Sequence, residues 1–214
     1  MNTKEQFVIT ISREVGSGGR TIGSKLAERL GVRYCDKQLI KSLMEKFGIS
    51  AGSIEKIKGQ KKNTILEALR SFTPDPYSGP VIMSGREYNP GITTDDVFNV
   101  ETEVLRQLAS EGSCVIAGRS GFFILKDCPN KFDIFIRASL PTRIERVMAR
   151  QGVSRDEAAE IIESVDKARE NYIKRFTGIS RYDARNYDLV LNVDDITPDE
   201  AVDVIMKFIE ASSK

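Results

Sequence analysis

Residues 7–31 read FVITISREVGSGGRTIGSKLAERLG, and this stretch decides the fold. Phe7–Ser12 is a short β-rich run that breaks into the cluster Gly16-Ser17-Gly18-Gly19. Ile22, Leu26 and Leu30 then recur at spacing four, one stripe of a helix that ends at Gly31. Strand, glycine loop and helix open an α/β unit. In such a loop backbone N–H groups can point at a bound anion, and the helix dipole adds to the attraction. The phosphate-loop pattern GxxxxGK[ST] uses its Lys on the β/γ-phosphates and its hydroxyl on Mg²⁺. Gly19-Arg20-Thr21 falls on the GK[ST] end, with Arg20 in place of Lys and Glu14 where the first Gly belongs. On these nine residues alone a phosphate cradle and an inert glycine turn stand equal. The flanking strand and helix favour the cradle.

The rest of the chain repeats the alternation. Val32–Cys35 is short enough for a second strand, followed by a helical pattern from Lys37 to about Phe47. Residues 48–73 read as helical pieces with a break, and residues 73–94, with four of the seven prolines, as a long loop. Val97, Val100, Val104, Leu105 and Leu108 mark a helix that stops at Gly112. Cys114–Ala117, Phe132–Ile136 and Tyr187–Leu191 are three more runs of strand length. Ser154-x-x-Glu157 is a capping box, and Thr197-Pro198-x-Glu200 is another with Pro at the first helical position. Strands alternating with helices imply a mainly parallel sheet covered on both faces. The expectation is one α/β domain over 1–214 with about five strands and excursions at 37–100 and 150–186.

Composition narrows the chemistry. The 214 residues are 40% apolar and 29% charged, values of a globular chain with a sizeable core. Basic and acidic residues number 32 and 31, for a formal charge of +1, which argues against a nucleic-acid partner held by a global field. There is no histidine, so Ser-His and Cys-His nucleophile pairs, HExxH metal sites and a His general base are all excluded. Catalysis must rest on carboxylates, Arg and Lys, backbone N–H groups or a borrowed metal. Cys35, Cys114 and Cys128 form no CxxC, and the first two sit in apolar runs as small core residues. No apolar stretch approaches the roughly 20 residues of a membrane span, and the polar start MNTKEQ is no signal peptide. The expected location is cytoplasmic, with no membrane partner.

Three further places can hold charge. Asp36 follows the second strand at the carboxyl edge, where open α/β sheets place ligands; it can hold Mg²⁺ through water, orient an acceptor, or cap the next helix. Arg119 ends the third strand at the same edge and suits either a phosphate or a salt bridge. The segment from Arg143 to Arg185 holds ten basic residues among eight acids. Phosphoryl transfer needs positioning and positive charge around the moving group rather than covalent help, and an Arg-rich helical arm supplies both. Asp166 and Arg169 lie three apart on one helix face and can pair or share a ligand.

In order along the chain, FVITISREVGSGGRTIGSKLAERLG, YCDKQLI, CVIAGR, FDIFIRAS with Arg143 after it, DKARENY and YDLVLN resemble the cytidylate kinase-like family, a branch of the P-loop nucleoside monophosphate kinases. The resemblance covers nearly the whole chain and is weakest over residues 50–94. It implies a three-layer fold with a parallel sheet in the order 2-3-1-4-5, a monophosphate-binding excursion at 37–100 and an Arg-bearing lid around 143–180. It implies ATP as co-substrate and Mg²⁺, with Gly16, Ser17, Gly18, Gly19, Arg20 and Thr21 on the donor's phosphates and Thr21 on the metal. Arg119 matches the Arg of a Gly-Arg-Asp motif near the acceptor, and Asp166 with Arg169 matches an Asp-x-x-Arg of the lid. Arg20, Asp36 and Arg169 are then the catalytic candidates, and Asp36, Arg119, Asp166 and Arg169 the acceptor side.

Two departures fall on that side. Ser120 stands where the family's cytosine-reading Asp belongs, and Ile162 stands where a lid Arg belongs. The expected activity is ATP-dependent phosphoryl transfer to a nucleoside monophosphate, CMP or dCMP first. A kinase of the same fold with another small acceptor, and a non-catalytic nucleotide-binding regulator, are the alternatives. Monomer and homo-oligomer stay equally open.

Overall fold

β1 (Val8–Arg13) lies at the centre of a five-stranded sheet, with β3 (Cys114–Ala117) and then β2 (Arg33–Cys35) on one side and β4 (Lys131–Arg137) and then β5 (Leu189–Asn192) on the other. All four pairings are parallel, and the order 2-3-1-4-5 is the one expected. Val8 stands opposite both Cys114 and Lys131, so the three central strands start level, β3 stopping two residues before β1, and their carboxyl ends lie along one edge. The structure is a computed structural model, and the residues described are 1–36 and 94–212. The helix from Lys37, the pieces over 48–73 and the loop over 73–94 lie outside the described residues.

One face of the sheet is covered by α1 (Gly19–Leu30) and by α6 (Pro198–Ser212) at the end of the chain. The spacing-four stripe explains this: Ile22 and Leu26 of α1 meet Ile9 and Ile11 of β1, Ile134 and Ile136 of β4, and Ile205 and Ile209 of α6. The other face carries α2 (Thr94–Glu111), whose Val104, Leu105 and Leu108 pack on Val8, Cys114 and Ile116, together with the single turn α3 (Gly121–Ile124). Cys35 and Cys114 are fully buried here, as small core residues, and the Cys35 thiol beside it together with burial pushes the Cys114 thiol well above its ordinary range.

α4 (Leu140–Gln151) and α5 (Arg155–Thr177) form an antiparallel pair that closes a third, smaller core around Val15, Ile144, Val147, Ala158, Ile162 and Val165. Both expected capping boxes are formed. Ser154 and Glu157 exchange side-chain and backbone bonds at the start of α5, and Thr197 and Glu200 do the same at the start of α6. The last strand starts later than the apolar run suggests. Tyr187 follows a short 3₁₀ turn over Ala184–Asn186, its ring packs on Phe122 and Phe135, and its hydroxyl donates to the Arg181 carbonyl at 2.7 Å. Tertiary packing of an aromatic ring therefore takes it out of the ladder.

Candidate active site

The chain leaves β1 at Arg13 and enters α1 at Gly19, at the carboxyl edge of the central strand. Gly16 and Gly18 both have φ of +79°, a left-handed backbone that favours glycine. At Gly16 a second constraint adds to the first, because a Cβ there would lie 2.7 Å from the backbone carbonyl oxygen of Arg143. Gly18 is the N-cap of α1, and neither a capping side chain nor an acidic residue in the first turn occupies the helix start. That leaves the positive end of the helix to an external anion. The Ser17 hydroxyl is turned inward, donating to the Glu14 carbonyl at 2.9 Å.

Glu14, the misfit to the phosphate-loop pattern, does not need glycine's freedom. Positive φ among the described non-glycine residues occurs only at Arg119 and Ser120. Its carboxylate instead serves two groups: it accepts from the Ala138 N–H at 3.1 Å, just ahead of α4, and sits 3.3 Å from the Arg143 guanidinium. The residue that breaks the pattern thus ties the loop to α4.

Behind the loop, Asp166 of α5 is buried at 6% exposure. Its carboxylate accepts from the Val15 N–H at 3.1 and 3.3 Å. Arg143 pairs with it, Arg169 lies 3.4 Å away and Arg181 3.5 Å away. The same three arginines also donate to loop carbonyls: Arg143 to Val15 at 2.7 Å, Arg169 to Arg13 at 3.3 Å, and Arg181 to Arg13. Arg181 is 3% exposed, and its Nε and Nη1 make no hydrogen bond. Three guanidinium groups therefore face two carboxylates, Asp166 and Glu14, in a poorly solvated place. These guanidinium groups lie against the glycine loop, an arrangement that favours a bound anion. Arg146 adds a fourth guanidinium, donating to the Ser17 carbonyl at 3.3 Å and to the Val193 carbonyl at 2.8 Å.

Arg20 and Asp36 meet across the mouth of the loop, with Arg20 Nη2 donating to Asp36 Oδ2 at 2.6 Å. The Arg20 carbonyl accepts from the Tyr34 hydroxyl at 3.1 Å, which fixes the first turn of α1 against β2. Thr21 is exposed on that turn. The structure thus brings Arg20 and Asp36 together at one end, with Thr21 next to Arg20 in the chain, and Asp166 and Arg169 together behind the loop.

Arg119 sits apart, at the exit of β3, where it pairs with Glu101 of α2. Ser120 is buried with its hydroxyl unpartnered, and Ile162 is buried in the core between α4 and α5. The residues that sequence reasoning overlooked are Glu101 and Tyr172, whose hydroxyl donates to Glu101 at 2.9 Å. A single Glu in the charged pattern of α2 gives no sign of being buried. Only the long-range packing of α2 on α5 reveals it.

The cytidylate kinase-like family profile matches residues 8–195. A cytidylate kinase of Pyrococcus horikoshii is 29% identical over 206 residues, covering 95% of this chain and 88% of that protein. An uncharacterized protein of Eubacterium ventriosum superposes with a TM-score of 0.69 at 25% identity, covering 96% of this chain and 99% of that one. A gluconokinase of Sinorhizobium meliloti shares the fold at a TM-score of 0.55 and 14% identity, over 97% and 94% of the two chains. With a five-stranded parallel sheet in the order 2-3-1-4-5, a glycine loop at its carboxyl edge and a profile that spans both, the chain belongs to the cytidylate kinase-like family.

Proposed function

We propose that the protein transfers the γ-phosphoryl group of ATP to a nucleoside monophosphate, CMP or dCMP first. The observation that carries this reading is the uncapped start of α1, with three guanidinium groups packed behind the same loop. An anion bound there meets backbone N–H groups in front and fixed positive charge behind, which is what a phosphoryl group in transfer requires. Gly16, Ser17, Gly18 and Gly19 surround the donor's phosphates. Arg20 contacts the β/γ-phosphates, and its pairing with Asp36 holds both groups at the mouth. Arg169 and Asp166 fix the lid on the loop, and Arg119 faces the acceptor. The cytidylate kinase names of the relatives support the choice of CMP and dCMP.

The residues present fit Mg²⁺ in the way that this ion is usually bound, through few protein oxygens and several from phosphate and water. Among the described residues no group of three carboxylate or thiol ligands could hold a metal alone. Thr21 is exposed on the first turn of α1 and offers a hydroxyl, and Asp36 offers a carboxylate paired with the neighbouring Arg20. Thr21 would hold the ion together with the nucleotide's phosphates, and the ion would neutralise charge on them.

A second reading, the same chemistry on a different small acceptor, draws on Ser120 and Ile162. Serine and isoleucine carry no charge, so neither can stand in for the Asp or Arg that they replace, and both are buried. ADP release with Mg-ATP against CMP, dCMP, UMP, AMP and GMP tests both. Turnover confined to CMP and dCMP supports the first reading. No turnover with any of the five, together with a melting temperature still raised by ATP, discards the monophosphate and keeps the loop. ATP stabilisation without ADP from any acceptor would leave only a nucleotide-binding regulator.

A further inference from the structure

We infer that Glu101 is a positioning residue: it holds the Arg119 guanidinium for the acceptor and, through Tyr172, ties that guanidinium to the lid helix α5. This rests on the reading that Arg119 meets the acceptor. Arg119 stands on an unusual backbone. Gly118, Arg119 and Ser120 have φ of +82°, +57° and +55°, three left-handed residues in a row of which two carry side chains. Such a conformation persists only where surrounding contacts over-determine it.

Glu101 supplies those contacts. It is 1% exposed, and a carboxylate so far from water must be paired. Each of its oxygens has one partner: Oε1 accepts from Arg119 and Oε2 from the Tyr172 hydroxyl at 2.9 Å. With both oxygens engaged the carboxylate is fixed, and it anchors the Arg119 guanidinium through Nη1. Burial and the Glu101 carboxylate push the Tyr172 hydroxyl far above the ordinary tyrosine range, so it remains a donor throughout the working pH.

The link to the lid is aromatic as well as polar. Phe98 of α2 stacks on Phe176 of α5 with ring centres 4.4 Å apart, and Tyr172 lies 5.0 Å from Phe176. Asp166, Arg169 and Tyr172 recur every three residues along α5, so neighbouring turns of one helix reach the glycine loop and the Glu101–Arg119 pair. A lid seated on the donor loop through Asp166 thereby also fixes the guanidinium on the acceptor side. A purely structural salt bridge would not need its carboxylate shared with the lid.

The test compares Arg119→Lys, Glu101→Gln and Tyr172→Phe by ADP release, titrating CMP and Mg-ATP separately. Expected is a rise in KM for CMP of about tenfold in Glu101→Gln and about threefold in Tyr172→Phe, with KM for ATP within about twofold of wild type. Adding Glu101→Gln to Arg119→Lys should do little more than Arg119→Lys alone, because the two act on one contact. A folded Glu101→Gln with an unchanged KM for CMP, or with both KM values raised alike, overturns the inference while Arg119→Lys still raises KM for CMP. If Arg119→Lys leaves KM for CMP unchanged, or wild type turns over no monophosphate, the reading of Arg119 has failed and the inference goes with it. Should Glu101→Gln not fold, Tyr172→Phe carries the same test, since it removes one hydroxyl and no charge.

Discussion

The two faces of the sheet are built from the same strands and differ in kind. Under α1 and α6, β1 presents Ile9 and Ile11 and β4 presents Phe132, Ile134 and Ile136, and every buried neighbour is apolar. On the opposite face the same strands present Thr10, Ser12 and Asp133, and the Thr10 hydroxyl bonds to Asp133, which also pairs with Lys131. Burial raises the Asp133 carboxyl above its ordinary range despite those partners. Toward the carboxyl edge this polar character extends into Glu101, Asp166, Arg143 and Arg181, all buried. The first face supplies cohesion alone, whereas the second adds to its apolar core under α2 a set of charges carried out of water, where they are costly unless matched by a partner or a ligand. Substitutions on the apolar face should accordingly cost stability alone, whereas those on the charged face should cost activity and, within the buried ion cluster, stability as well.

The largest effect is expected at the charged face. Asp166→Asn removes the charge that Arg143, Arg169 and Arg181 share, and loss of one member of a buried ion cluster costs about 3–5 kcal/mol. Urea unfolding should show that loss, with turnover falling as the loop loses its Val15 anchor. Next comes Arg20→Ala, which should lower turnover about a hundredfold or more while shifting the melting temperature by no more than a few degrees, since its pair with Asp36 is partly exposed. Near-normal turnover in that variant would remove the glycine loop from the chemistry. Ile205→Ala, on the apolar face, should do the reverse: about 3 kcal/mol of stability lost, with kcat of the folded enzyme unchanged. If Ile205→Ala instead cut kcat as deeply as Arg20→Ala, the division between the faces would be wrong.

What could be read from the sequence follows the same division. The apolar face was legible because burial leaves periodicity: Ile22, Leu26 and the strand runs specify helix and strands to within a residue or two, while the order 2-3-1-4-5 was implied by the family resemblance and not by the pattern. The glycine cluster was legible as a loop between strand and helix, and there Gly16 and Gly18 take the left-handed backbone while Gly19 starts α1. The charged face was legible only in part. Asp166 and Arg169 are paired as their spacing suggests, but the Val15 N–H on Asp166 joins residues 151 apart in sequence. Glu14 looked like a defect in a motif and is a tie to α4. Glu101 gives no sign in the sequence, because no local pattern distinguishes a buried glutamate whose partners come from the exit of β3 and from α5.

The smallest effects belong to neither face and lie at the helix starts. Ser154→Ala removes one half of the capping box of α5 and should cost about 1 kcal/mol by urea unfolding, with KM values unchanged. The pH dependence of that cap has a definite sign. Hydrogen bonds from Ser154 hold Glu157 below the ordinary glutamate range, and bonds from Thr197 do the same for Glu200. A carboxyl whose folded pKa is depressed stabilises the fold above its unfolded value, near 4.3, and that contribution is lost as pH falls through the depressed value. Wild type should therefore melt higher than Glu157→Gln/Glu200→Gln at pH 6, and the gap should close as the buffer is taken toward pH 3. A gap that persisted at pH 3 would place the caps' contribution in the hydroxyls rather than the carboxylates, and would separate helix initiation from the ionic chemistry of the charged face.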